Sequence, residues 1–153
     1  MRKIKPRIYL DTTVPSAYLD GRAQDRQRLT QEFWRVRLAD FEPVVSVVTI
    51  KEIEDTPDEQ LRAEMLELVS GFGTLPLDEE AQALAQEYIA RSIFPDKYAS
   101  DAVHVAIAVV SGVAYLVSWN FAHLVKVATR REVNLVNSLL GYGPIEIIAP
   151  PEL

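Results

Sequence analysis

The stretch Arg7-Ile8-Tyr9-Leu10-Asp11-Thr12-Thr13-Val14-Pro15 decides how the rest of the sequence is interpreted. A short strand-like run ends in an acid, and two threonines and a proline then supply the polar cap and early proline typical of a helix start. The pattern predicts a strand that turns directly into a helix, with Asp11 at the turn. Ligands of an open parallel sheet bind beyond the carboxyl ends of its strands, so Asp11 is a candidate site residue.

Strand-like and helix-like segments alternate along the remaining sequence. Further strands are predicted at 44–48, 74–77, 114–117 and 145–148, and helices at 22–41, from Pro57 towards Gly71, at 78–92, from Pro95 to Gly112 and at 132–140. The strands are short continuous apolar runs, as expected when helices cover both faces of a sheet. We find no repeat or linker, so the sequence predicts one α/β domain over residues 1–153, a three-layer α/β/α sandwich with a central parallel sheet.

The formal net charge of −6 argues at first against nucleic acid as a partner. The charge is segregated, however, because seven acids lie between positions 52 and 67 whereas five arginines lie between Arg22 and Arg37. The arginine segment, together with Lys126, Arg130 and Arg131, would contact phosphates if RNA is the substrate, although such charges usually form only a solvated face. The sequence has no cysteine, so any metal must be bound by oxygen atoms or histidine.

Membrane segments are not predicted. The longest apolar run, 102–110, is interrupted by His104 and is too short to span a bilayer. The basic N-terminus leads straight into a strand and not into the apolar stretch of a signal peptide. These features predict a cytoplasmic protein.

Polar residues that follow the predicted strands form a pattern around Asp11. Glu52 lies just after the second strand, Ser118 and Asn120 follow the strand at 114–117, and Asp101 stands near the start of the helix that precedes it. Three acids and one amide would meet at one edge of the sheet and offer the hard oxygen ligands that Mg²⁺ and Mn²⁺ prefer.

Each acid also has a structural interpretation. Asp11 is an equally good helix cap, and Glu52 has the spacing of the third residue of a capping box that starts at Thr49. Asp101 lies on a helix that is apolar almost all round, which predicts deep burial and therefore a need for a partner or a metal. His104 is three residues further on and is the candidate partner in a structural pair.

The residues around Asn120 are open to the same question. Asn120 itself is typical of turns, and Trp119 and Phe121 are more typical of packing than of base stacking. His123 would position a substrate phosphate or Asn120, but an exposed helix histidine is an equally good interpretation.

Four segments together resemble the PIN-domain family, in particular the toxin-like ribonucleases of the VapC type from toxin–antitoxin systems. They are Ile8-Tyr-Leu-Asp11-Thr-Thr-Val14, Ser46-Val-Val-Thr-Ile-Lys-Glu52-Ile53, Ser100-Asp101-Ala-Val-His104-Val-Ala-Ile-Ala108, and Ser118-Trp-Asn120-Phe-Ala-His123-Leu124. The resemblance covers nearly the whole chain. Asn120 falls where many members of the family carry a fourth Asp, so the Ser-Trp-Asn-Phe form is a variant of the fullest pattern.

The resemblance implies a metal-dependent ribonuclease that uses Mg²⁺ or Mn²⁺ to hydrolyse an RNA phosphodiester. Asp11 and Asp101 match the central ligands, Glu52 a ligand through water or the group that orients the attacking water, and Asn120 an outer ligand. Thr12 and Ser118 are candidates for phosphate contacts or for support of the ligands. Because Asn replaces a fourth Asp, a second metal would be held more weakly.

The resemblance also implies an antitoxin partner and a homodimer. A PIN-like module with impaired catalysis, binding RNA or protein, is the alternative that Asn120 and the acidic net charge favour. An aspartyl phosphatase would need a second Asp where Thr13 stands, and the acid pair of a response-regulator receiver is absent.

Overall fold

Five parallel strands form the central sheet of the protein. The computed structural model describes residues 4–153, in which the strands are β1 (Arg7–Leu10), β2 (Glu42–Ser46), β3 (Gly73–Leu75), β4 (Tyr115–Val117) and β5 (Glu146–Ile148). Their order is β3-β2-β1-β4-β5, and every neighbouring pair is parallel. The chain builds the sheet outward from β1 in one direction and then crosses over to β4 on the other side of β1. The carboxyl ends of β1 and β4 therefore flank the point where the strand order reverses, the usual place for a ligand.

Seven α-helices cover the sheet. They are α1 (Thr13–Leu19), α2 (Gln24–Glu32), α3 (Val47–Glu54), α4 (Glu59–Val69), α5 (Glu79–Ala90), α6 (Ala99–Val110) and α7 (Val127–Leu139). None of the helices within residues 4–153 is long and apolar enough to cross a membrane.

Alternating residues of β1 divide the core into two layers. Ile8 and Leu10 pack with residues of α1, α3 and α4 in one cluster, whereas Tyr9 packs with α5 and α6 in the other. All three side chains are fully buried. This is the period-two alternation of a strand with helices on both faces, and the architecture is the predicted PIN-like three-layer α/β/α sandwich.

The start of α3 differs from the prediction. The second strand ends at Ser46, two residues earlier than predicted, because Ser46 caps α3 by accepting hydrogen bonds from the backbone N–H groups of Val48 and Thr49. Thr49 returns the bond by accepting from the Ser46 N–H at 3.2 Å, so the capping box joins Ser46 to Thr49. The interpretation of Thr49 and Glu52 as a capping box was wrong, and Glu52 is left free for another contact.

Two other helices also have different bounds from those predicted. The last helix starts at Val127 and not near Glu132. Its buried side chains include the polar residues Thr129 and Asn137, which interrupt the apolar stripe in the sequence, so the stripe did not indicate where the helix begins. The segment 22–41 is α2 followed by a π-helical turn (Phe33–Arg37) and a short 3₁₀ turn (Leu38–Asp40).

Candidate active site

Asp11 lies immediately after β1 and is 3% exposed. Its Oδ1 accepts hydrogen bonds from the backbone N–H of Thr13 at 3.0 Å and from the Thr13 hydroxyl, and its Oδ2 accepts from the Ser118 hydroxyl at 2.5 Å. The bond from the Thr13 N–H is the capping interaction that the sequence allowed. It occupies one oxygen only, so capping does not account for the whole carboxylate.

Two hydroxyl groups connect Asp11 to the loop after β4. The Thr13 hydroxyl accepts from the Trp119 N–H at 2.8 Å, and the Ser118 hydroxyl accepts from the Asn120 N–H at 2.9 Å. Each hydroxyl thus donates to Asp11 and accepts from the loop. The carboxyl ends of β1 and β4 are held together around one buried carboxylate.

Asp101 is on the first turn of α6 and is half-buried. The expectation of deep burial was wrong for this residue, because the first turn of α6 stands at the edge of the sheet while the residues that follow it enter the core. Its Oδ2 accepts a hydrogen bond from the Asn120 side-chain amide at 3.3 Å.

Asn120 uses both ends of its side chain within the protein. Its Nδ2 donates to Asp101, and its Oδ1 accepts from the His123 N–H at 3.0 Å. In this arrangement the amide supports Asp101 and the turn at 120–125, while its oxygen is engaged with the backbone. Its use as an outer metal ligand would require that contact to be shared or broken.

His104 bonds to Glu52 and not to Asp101. The buried imidazole donates from Nε2 to the Glu52 carboxylate and from Nδ1 to the Tyr9 hydroxyl at 2.5 Å, and that hydroxyl in turn donates to Ser46 at 2.7 Å. The expected Asp101–His104 pair is replaced by a chain of four side chains, Glu52, His104, Tyr9 and Ser46. This chain runs from α3 to α6, then to β1, and returns to the start of α3 at Ser46.

The charge of His104 follows from these contacts. Burial alone disfavours the imidazolium, but the contacts with Tyr9 and Glu52 and the charge of Asp11 outweigh it and raise the pKa of His104 to about 10. A protonated ring has N–H donors on both nitrogens, which matches its two acceptors. The raised pKa and the two acceptors both favour the positively charged form of His104 at this position.

The two aspartates remain incompletely compensated. Burial raises the pKa of Asp11 despite the opposing charge of His104 and the bonds from Ser118 and Thr13. Burial, together with the charge of Asp11, also raises the pKa of Asp101, against the opposing effects of His104 and His123. Two neighbouring carboxyl groups whose pKa values are both raised would be stabilised in their charged form by a bound cation.

The donor set fits a divalent cation held by two carboxylates. Within residues 4–153, no three His, Asp or Glu side chains approach closely enough to hold a metal ion as a group, so the predicted convergence of three acids on one ion differs from the structure. Glu52 is engaged with His104 instead. Mg²⁺ commonly retains several waters and uses only one or two carboxylates of the protein, so Asp11 and Asp101, which are linked through Ser118 and Asn120, are the candidate ligands.

Several residues at the site were missed in the sequence. Thr13 was interpreted as part of the helix start, yet its hydroxyl contacts Asp11 directly, whereas the Thr12 hydroxyl is buried without a hydrogen-bond partner among the described residues. Tyr9 could have been noticed as a hydroxyl-bearing side chain between the apolar residues Ile8 and Leu10 of β1. Trp119 packs as predicted and bonds to Thr30 at 2.8 Å, but Phe121 is 48% exposed and does not belong to the core.

Comparison with known proteins shows that the fold of this chain is similar to that of solved structures. No protein-family model and no curated protein matches the sequence. Among solved structures, VapC20 of Mycobacterium tuberculosis, a sarcin-ricin loop cleaving toxin, is 13% identical with a TM-score of 0.57, covering 71% of this chain and 86% of that one. A toxin–antitoxin complex from Klebsiella pneumoniae is 13% identical with a TM-score of 0.59, covering 80% and 93%.

VapBC2 of Rickettsia felis, solved with a DNA fragment from its promoter, is 8% identical with a TM-score of 0.57, covering 94% of this chain and 98% of that one. At this level of identity the likeness establishes the fold that the resemblance to PIN domains predicted. Likeness of fold does not by itself establish an activity or a partner.

Proposed function

We propose that this protein is a divalent-metal-dependent ribonuclease that hydrolyses RNA phosphodiesters, and that it is the toxin of a toxin–antitoxin system. The observation that carries the proposal is the placement of Asp11 and Asp101 where the strand order reverses, linked through Asn120: its N–H bonds to the Ser118 hydroxyl that donates to Asp11, and its side-chain amide donates to Asp101. Burial raises the pKa of both carboxyl groups, which agrees with a place for a cation. The fold shared with solved VapC and VapBC structures supports it.

In the proposed reaction, Asp11 and Asp101 would hold one Mg²⁺ or Mn²⁺. Bound there, the ion would supply activation of a water for attack on phosphorus and would offset negative charge on the phosphate oxygens. Thr13 and Ser118 fix the orientation of the Asp11 carboxylate through their hydrogen bonds. Asn120 fixes Asp101 in the same way.

Glu52 is assigned the orientation of the attacking water. It is 37% exposed on its side chain and is held from behind by His104, so one oxygen is restrained while the group still faces solvent. His104 is a positioning residue in this scheme, since it acts through Glu52. His123 stays a candidate phosphate contact.

Partners and location follow from the same proposal. The toxin assignment implies an antitoxin protein, and the solved relatives of similar fold include toxin–antitoxin complexes. A homodimer remains a proposal from the family resemblance. Because the proposed substrate is cellular RNA, the cytoplasm is the compartment where the proposed reaction would take place.

A second function, a PIN-like module that binds RNA or protein without cleaving it, is favoured by one observation. Glu52 is engaged with His104 and Asn120 stands beside Asp101, so the site offers fewer free carboxylates than a four-acid pocket. The two functions differ in whether bound metal leads to hydrolysis.

The test is a cleavage assay on labelled RNA with Mg²⁺ or Mn²⁺, with EDTA, and with Asp11→Asn. Asp58→Asn is the matched control, because Asp58 is an exposed cap of α4 and Asn caps equally well. Cleavage by the wild type and the control, but neither in EDTA nor by Asp11→Asn, is the expected result. Cleavage that persists in EDTA or in Asp11→Asn rejects the mechanism. Metal binding without cleavage of any RNA supports the binding module.

A further inference from the structure

Phe121 is an exposed aromatic ring beside the candidate active site. It is 48% exposed, although its neighbour Trp119 is only 7% exposed, and it directly follows Asn120, whose side chain bonds to Asp101. A single exposed ring is not unusual on a protein surface. Its surroundings give it a specific chemistry.

Arg26 lies over this ring without an acidic partner. Its guanidinium carbon is 5.0 Å from the centre of the Trp119 ring and 5.9 Å from that of Phe121, which are favourable distances for a cation on an aromatic face. Three other arginines of the same basic segment form ion pairs, Arg22 with Asp20, Arg28 with Glu32 and Arg37 with Asp40. Among the described residues no ion pair involves Arg26, so its charge is available to a ligand.

A second group of rings with a cation is also connected to Asn120. The His123 ring stacks on Tyr98 with centroids 4.0 Å apart and an angle of 30° between the planes, and the Lys97 ammonium lies 5.1 Å from the centre of the Tyr98 ring. His123 is tied to Asn120 through its N–H, and Tyr98 is 37% exposed. Lys97, like Arg26, makes no ion pair within residues 4–153.

We infer that these two groups, Phe121 with Arg26 and the Tyr98–His123 stack with Lys97, hold single-stranded RNA next to Asn120 and Asp101. The inference rests on the proposed function, and it names the residues that contact the substrate. A protein ring stacks on a base whose face is free, which is the case in single strands and not inside a duplex. The unpaired cations supply the attraction for phosphate that a net charge of −6 otherwise opposes.

The test measures binding separately from cleavage. A fluorescein-labelled single-stranded RNA of mixed sequence is titrated with the full chain in EDTA, and binding is followed by fluorescence anisotropy. The same RNA annealed to its complement is titrated in parallel, so that the affinities for single strand and duplex are compared. The variants are Phe121→Leu, Phe121→Trp and Arg26→Gln. Arg35→Gln is the matched control, since Arg35 is also exposed, lies in the adjacent helical turn and has no ring beneath its guanidinium in the described part of the chain.

The expected results follow from stacking and charge. Phe121→Leu should weaken binding of the single strand roughly 5- to 150-fold, the range for loss of one stacked base, whereas Phe121→Trp should stay close to the wild type. Arg26→Gln should reduce the dependence of binding on salt by about 0.7 in the logarithmic slope, and Arg35→Gln should change it less. Thermal unfolding of Phe121→Leu should match the wild type, which separates lost stacking from lost folding.

Two results would overturn the inference. One is wild-type affinity of Phe121→Leu for the single strand, which would show that the exposed ring does not stack on RNA. The other is equal affinity of the wild type for duplex and single strand. The proposed function is judged separately, by cleavage with Mg²⁺: binding that depends on Phe121 without any cleavage contradicts the nuclease alone, and unchanged cleavage by Phe121→Leu contradicts the stacking surface alone.

Discussion

Replacement of His104 by Gln should destabilise the protein measurably, because the imidazolium joins three elements through two hydrogen bonds. Gln reaches towards Glu52 with a neutral amide but loses the contact with Tyr9. The bond to Tyr9 contributes about 1 kcal/mol to the free energy of unfolding, and the charged bond to Glu52 contributes about 1.5–3 kcal/mol. The loss at Glu52 is smaller than that full value, because Gln retains part of the bond and solvent screens the partly exposed carboxylate. The expected loss is about 2–3 kcal/mol.

A loss of this size corresponds to a fall in melting temperature of roughly 4–12 °C for a chain of this length. The measurement is thermal unfolding followed by circular dichroism in EDTA, so that no added cation alters the charge near Asp11. His123→Gln is the matched control. The His123 ring stacks on Tyr98 at the surface, and its hydrogen bond to Asn120 comes from the backbone, so this variant should lose less than about 1 kcal/mol.

The pH dependence of the same difference tests the charge of His104. Its pKa is raised from 6.5 to about 10, so the folded state binds the proton more tightly than the unfolded state does. The resulting stabilisation is fully present below about pH 6.5 and is lost as the pH rises through about 10. The difference between the wild type and His104→Gln should therefore narrow between those values. A difference that stays constant or widens with pH would show that the buried ring is neutral, and would refute the reasoning.

Three further predictions concern the acids and the cap. Asp101→Asn should abolish cleavage yet melt at a higher temperature than the wild type in EDTA at pH 8, because the raised pKa of Asp101 means that its ionisation costs stability above about pH 4. An unchanged or lower melting temperature contradicts this. Asn120→Asp should have a lower melting temperature than the wild type in EDTA, because the hydrogen-bond donor to Asp101 is replaced by a second negative charge. The same variant should bind Mg²⁺ more tightly in calorimetry. Weaker Mg²⁺ binding would count against the proposed metal site. Ser46→Ala should lower the free energy of unfolding in denaturant by about 2 kcal/mol, because the cap of α3 and the hydrogen-bond acceptor of Tyr9 are both lost. The α4 cap variant Asp58→Ala, which loses only a cap, should lower it by about 1 kcal/mol. Equal losses in the two variants would show that the bond from Tyr9 to Ser46 does not contribute.

The sheet and the position of its edge were predictable because they depend on local pattern. Short apolar runs followed by polar residues gave the strands, and the parallel arrangement gave the edge where Asp11 and Ser118 meet. The end of β2 was not predictable from the same pattern. Val47 and Val48 extend the apolar run of the strand, and only the capping bonds of Ser46 show that the helix has already begun.

The partners within the site were harder to predict because they are distant in sequence. His104 is three residues from Asp101, and that spacing suggested a pair on one helix face. Its actual partners, Glu52 and Tyr9, are 52 and 95 residues away and come from another helix and the central strand. Such contacts depend on how α6 lies against the sheet, which no spacing in the sequence encodes. The same holds for Arg26 and Phe121.

The chain of side chains from Ser46 through Tyr9 and His104 to Glu52 has a consequence for how such a protein can change over evolutionary time. Each member provides the hydrogen-bond partner of the next, so loss of one leaves a buried polar group of its neighbour unsatisfied. Substitutions in this chain should show strong epistasis, and a lineage that replaces His104 should also replace Tyr9 or Glu52. The folding signal at the start of α3 and the orientation of a proposed catalytic acid would then be inherited as one unit.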